Sequence, residues 1–143
     1  MSNPLIGTWK LVNFEAKSGE GKTVHPFGSR PFGRLFYDAA GNMSIQVFNH
    51  DRPRFSSDDK SKGSMDEIKA AWDGFDAYVG TYKVNEKEGV VEHRLEGALF
   101  PNWIGGTQKR FFEFDGNRLT ISTPELVYRG EKMRMFLVWE RIA

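Results

Sequence analysis

Along most of this chain apolar and polar residues alternate in short runs separated by turn residues, a two-residue period that predicts β-strands. The first run spans 7–15, with Trp9 and Leu11 on one face and Val12 and Phe14 on the other. Runs at 33–37 and 43–48 follow, joined by the turn "DAAGN". Further on come "YVGTYKV" and "VVEHRLEGALF", separated by "NEKEG". "GTQKRFFEF" and "RLTIST" flank "DGN", the strongest hairpin signal in the chain, and "EKMRMFLVWERI" closes it. Strands in unbroken succession on short turns predict an all-β domain, an eight-stranded antiparallel up-and-down β-barrel whose closure leaves no open edge.

One segment departs from that rhythm. Residues 64–79, "SMDEIKAAWDGFDAYV", place Met65, Ile68, Trp72, Phe75 and Val79 at helical spacing. Ser64 with Glu67 three positions on is a capping box, and Gly80 stands where a helix would stop. The pattern predicts one amphipathic helix over 64–79, between the third and fourth runs. The polar stretch before it, "HDRPRFSSDDKSKG", reads as a surface loop.

Composition narrows the function classes. The 143 residues suit a single domain, 1–143, large enough for one core. Twenty Lys and Arg against 19 Asp and Glu leave a net charge of +1, with no long run of like charge, which argues against a nucleic-acid partner or a polybasic membrane arm. No apolar run approaches membrane-spanning length, and "MSNPLIGTWK" lacks the features of a signal peptide. The chain has no cysteine, which excludes disulfides and thiolate chemistry and fits a reducing, cytoplasmic setting. His25, His50 and His93 share no metal-ligand spacing, and "GSRPFG" lacks the Lys and helix of a phosphate loop, so no metal and no cofactor are expected.

"GTW" opening the first strand, with a basic residue in the closing "WERI", is similar to the lipocalin and fatty-acid-binding superfamily. The wider set of blocks, "GTWKLVNFE", "PFGRLFYDAAGNMSIQV", "YVGTYKV", "VVEHRLEGALFPNW" and "GTQKRFFEFDGNRLTIST", resembles the bacterial and fungal lipocalin-like domain proteins across nearly the whole chain. The resemblance implies that Trp9 and Arg141 form a structural pair at one end of the barrel, ring against guanidinium. Secreted lipocalins carry disulfides that are absent here, and fatty-acid-binding proteins place two helices after the first strand, so their ligands do not transfer with the fold.

With Trp9 and Arg141 set inside, strand alternation points Leu11, Asn13 and Glu15 inward on the first strand and Met133, Met135, Leu137 and Trp139 on the last. The rest of the inward list includes Tyr37, Met43, Tyr82, His93, Gln108 and Arg110. So many polar tips among apolar walls suit a pocket better than a solid core. The expected function is therefore binding of a small, mostly apolar molecule with a polar or anionic end inside the barrel. Asn13, Tyr37, Met43, Tyr82, His93, Trp103, Arg110 and Trp139 are the candidate ligand contacts. His93 reads equally as a barrel histidine bonded to a tyrosine or a water, and Arg110 as an inward arginine paired with Glu15 or Glu92. The alternative is a cofactor-independent enzyme of the cyclase, isomerase, lyase or hydratase kind, with His93 as general acid or base, Arg110 stabilising negative charge and Tyr82 assisting. That version requires these groups to converge on one point. A homodimer, with the barrel as scaffold for an interface, stays open from the sequence.

Overall fold

A computed structural model describes residues 3–143. Ten strands form one antiparallel sheet: β1 (Gly7–Ser18), β2 (Thr23–Val24), β3 (Pro31–Tyr37), β4 (Asn42–Asn49), β5 (Phe75–Asn85), β6 (Val90–Ala98), β7 (Thr107–Asp115), β8 (Arg118–Ser122), β9 (Leu126–Tyr128) and β10 (Glu131–Arg141). Pairing of β1 with β10 closes the sheet into an eight-stranded barrel, with short β2 and β9 attached at one rim. Tight turns occupy one end. At the other lie the four longer connections, which include the one α-helix among the described residues, α1 (Met65–Asp73), and a 3-10 turn at Pro101–Trp103. No helix among the described residues is long and apolar enough to cross a membrane.

The turn end is solid. Trp9 is fully buried, and the Arg141 guanidinium lies 4.2 Å from its ring centroid. The indole Nε1 donates to the Leu5 carbonyl at 3.0 Å, and Arg141 donates to the carbonyls of Ile6 and Pro4. The segment before β1 thereby folds across the barrel bottom, with Leu5 buried as a plug. Gly7 makes the approach possible: its φ is 146°, and a Cβ there would collide with the Arg141 guanidinium and the Ala143 carbonyl. Leu11, Leu35, Tyr37, Met43, Leu95 and Leu119 fill this half of the barrel.

Two expectations from alternation fail, for one reason. In β1 the register slips between Leu11, opposite Trp139, and Asn13, opposite Val138. This bulge adds a residue and inverts the faces beyond it. Phe14 and Ala16 are buried inside, whereas Asn13 and Glu15 leave the inner face. Asn13 is thus removed from the cavity wall by one inserted residue.

The helix is shorter than its apolar spacing suggests. Ser64 and Glu67 form the expected capping box, but the chain leaves the helix at Gly74 and Phe75–Val79 belong to β5. Phe75 pairs with Phe48 across the β4–β5 ladder, their rings stacked 5.7 Å apart, and Arg52 packs over both while donating to the Ala71 carbonyl at 3.1 Å. Ladder pairing and this Arg–Phe stack outcompete continuation of the helix, because the helix itself buries none of its side chains.

Candidate functional site

The open half of the barrel is hollow. A cavity of about 550 Å3 runs inward from the loop end, within the range of small-molecule sites. Its wall is mostly apolar: Phe14, Ile45, Val47, Ile121, Met135 and Leu137 from the strands, and Phe27, Trp72, Phe75, Phe100, Trp103 and Tyr128 toward the mouth. Trp139, fully buried, belongs to the same wall, and its Nε1 has no acceptor among the described residues. Trp72 and Phe75, two of the residues at helical spacing in the sequence, border the opening.

Against this apolar lining stands one polar cluster. Strand β5 contributes Asp76 and Tyr78, two residues apart and so on one face, β6 contributes His93, and β7 contributes Gln108 and Arg110. His93, 1% exposed, is held between two tyrosines: Nε2 lies 2.5 Å from the Tyr37 hydroxyl and Nδ1 lies 2.7 Å from the Tyr78 hydroxyl. A neutral imidazole has one donor and one acceptor, so one tyrosine donates to His93 and the other accepts from it. Burial, reinforced by the Arg110 charge, lowers the histidine pKa to about 3, so it stays neutral at physiological pH. Burial likewise raises Tyr37 and Tyr78 above the ordinary tyrosine value. This chain of three groups is neutral and mutually satisfied.

Asp76 and Arg110 differ from it. Burial raises the Asp76 carboxyl to about 6, opposed by the Ala77 N–H, which donates to Oδ1 at 2.9 Å, and by the Arg110 charge. Arg110 donates to the Lys109 carbonyl at 2.9 Å and the Gln108 Oε1 at 3.1 Å. Among the described residues neither forms an ion pair, with the other or with any third group. An ionised carboxylate without a cation is costly, and the cost falls on stability. The folded state keeps the Asp76 proton up to about pH 6, the unfolded chain only to about pH 3.8, so the penalty is full above pH 6 and vanishes below pH 4. Asp76→Asn is expected to raise stability by about 2 kcal/mol at pH 7 and by almost nothing below pH 4, read by urea denaturation across pH.

Of the candidate contacts, His93, Trp103, Arg110 and Trp139 line the cavity. Tyr37, Met43 and Tyr82 do not. Tyr37 touches the site only through His93, and Met43 packs in the solid half. The Tyr82 hydroxyl donates to the Asp38 carbonyl at 2.6 Å and accepts from Asn3 Nδ2, near the turn end. These strands carry inward residues along their whole length, but only the upper ones meet empty space. The trio His93, Arg110 and Tyr82 therefore does not converge: Tyr82 lies off the cavity, and both His93 nitrogens are engaged. Sequence reasoning missed Asp76, which it assigned to the helix; the alternation of Asp76 with Tyr78 was its only signal. Among the described residues no group of His, Asp and Glu is placed to hold a metal ion.

Comparison with known proteins agrees with this geometry. Residues 6–142 match the model of a family described as a lipocalin-like domain. A relative from Aspergillus oryzae, the 4'-hydroxy-3'-methoxypropiophenone carrier protein, is 32% identical over 107 residues, covering 70% of this chain and 96% of that protein.

Proposed function

Because the chain belongs to the lipocalin-like domain family, we propose that it is a carrier that holds a small aromatic molecule inside the barrel. The observation that carries this reading is the cavity itself: about 550 Å3, walled by aromatic and aliphatic side chains, with polar groups gathered at one place. Trp72, Phe75 and Trp103 offer ring faces and edges at the mouth. The curated relative, named as the carrier of a phenolic aryl ketone, supports a ligand of one ring with a short substituent. A catalytic role for His93 finds no support, since both nitrogens are bonded to tyrosine hydroxyls and a pKa lowered to about 3 makes it a poor base near neutral pH.

The test uses a neutral fluorescent probe, N-phenyl-1-naphthylamine. It is expected to bind one per chain with a Kd on the order of 10 μM and to be displaced by aryl ketones. Leu137, partly buried on the cavity wall, is the place to block the space. Leu137→Trp is expected to weaken probe uptake about tenfold or more. Failure of the wild type to take up any neutral aromatic probe would overturn the proposal.

A further inference from the structure

Asp76 and Arg110 are opposite charges on the wall of one apolar cavity, from β5 and β7, yet they are not bonded to each other. A pair that served only to stabilise the fold would close the gap, because an unpartnered buried carboxylate is penalised. Here the guanidinium instead reaches a neighbouring carbonyl and an amide oxygen, and the carboxylate is met only by the N–H of Ala77. Each keeps bonding capacity toward the cavity: a carboxylate accepts several hydrogen bonds, and a guanidinium has five N–H donors.

From this separation, and resting on the carrier reading, we infer that the ligand is a neutral hydroxyaryl compound whose hydroxyl bridges the two residues, donating its hydrogen to Asp76 and accepting from Arg110. A hydroxyl is the smallest group that is donor and acceptor at one atom, so it satisfies both charges at once. A carboxylate would suit Arg110 but would place a second negative charge beside Asp76, with a single guanidinium to offset both. An ammonium would reverse the conflict. A ligand with an ether in place of the hydroxyl would leave Asp76 without its donor, which is the costly case. The sequence-based expectation of a polar or anionic end is thereby narrowed to a neutral donor. The raised pKa of Asp76, about 6, is consistent: the site keeps a carboxylate that is ionised at neutral pH at some expense to stability.

Isothermal titration at pH 7 separates the cases, with 4-hydroxypropiophenone, its 4-methoxy ether and 4-propionylbenzoate as probes and the naphthylamine reporting an open cavity in each variant. The wild type is expected to bind the hydroxy compound about tenfold or more tightly than either of the others. Asp76→Asn is expected to reduce the preference over the ether to about threefold or less, and Arg110→Met to weaken the hydroxy and methoxy compounds alike, by about tenfold, with the preference between them kept; both variants still take up the naphthylamine. If the wild type takes up the naphthylamine but binds hydroxy and methoxy compounds equally, or prefers the benzoate, the bridging hydroxyl is wrong and the carrier survives. If no probe, the naphthylamine included, enters the wild type, both fail.

Discussion

Trp9→Ala is expected to destabilise the fold by about 4–5 kcal/mol, enough to leave a domain of this size marginal or unfolded at 37 °C. The side chain is fully buried at the solid end, so its removal opens a void that surrounding strands cannot fill. The damage exceeds cavity formation. Arg141, 4.2 Å from the ring, loses its stacking partner, and the Leu5 carbonyl loses the indole donor. With them goes the anchorage of the segment that seals the barrel, since Arg141 also holds Pro4 and Ile6. Trp9→Phe, which keeps a ring, is expected to recover about half the loss. Both values come from urea denaturation, and a loss below about 1 kcal/mol for Trp9→Ala would contradict a structural plug.

His93→Leu carries the second large effect, and its signature is pH dependence. Replacing the imidazole leaves two buried tyrosine hydroxyls, on Tyr37 and Tyr78, without their partner. At about 1–3 kcal/mol for each unmet group, part of it recovered by added apolar burial, the expected cost at pH 7 is about 3 kcal/mol. His93 itself weakens the wild type in acid. The unfolded chain takes up this proton near pH 6.5, the folded protein only near pH 3, so its contribution is whole above pH 6.5 and falls through that window. At about 1.4 kcal/mol per pH unit, the difference between wild type and His93→Leu is expected to shrink to near zero by about pH 4. Asp76→Asn behaves oppositely: its advantage over wild type shrinks in acid. A His93→Leu penalty independent of pH would mean that the imidazole is not buried neutral between the tyrosines.

Architecture was legible because it is written in repeated local signals. Alternating runs and "DGN"-type turns specify strands and their succession, and "GTW" with Arg141 specifies which end is closed. The site was legible only in part. His93, Arg110, Trp103 and Trp139 were visible as polar or aromatic residues on the right faces, and the cavity receives all four. Asn13 was lost to a bulge, which no two-residue period announces. Tyr37, Met43 and Tyr82 were lost to depth: alternation tells which face a residue occupies, not whether that level of the barrel is filled. Asp76 was hidden because Trp72, Phe75 and Val79 keep a helical spacing through the helix–strand junction. The decision there is tertiary, made by Phe48 and Arg52, which meet Phe75 from 27 and 23 residues earlier in the chain.

The central claim is that the hollow half of the barrel is a ligand site. Its most direct measurement is a nitrogen-15 NMR titration with 4'-hydroxy-3'-methoxypropiophenone, following the four indole N–H signals and the backbone amides. The account predicts saturable shifts at Trp72, Trp103 and Trp139, and at the amides around Asp76, His93 and Arg110, with Trp9 at the solid end unmoved. No saturable shift, or shifts confined to the outer face of the barrel, would contradict it.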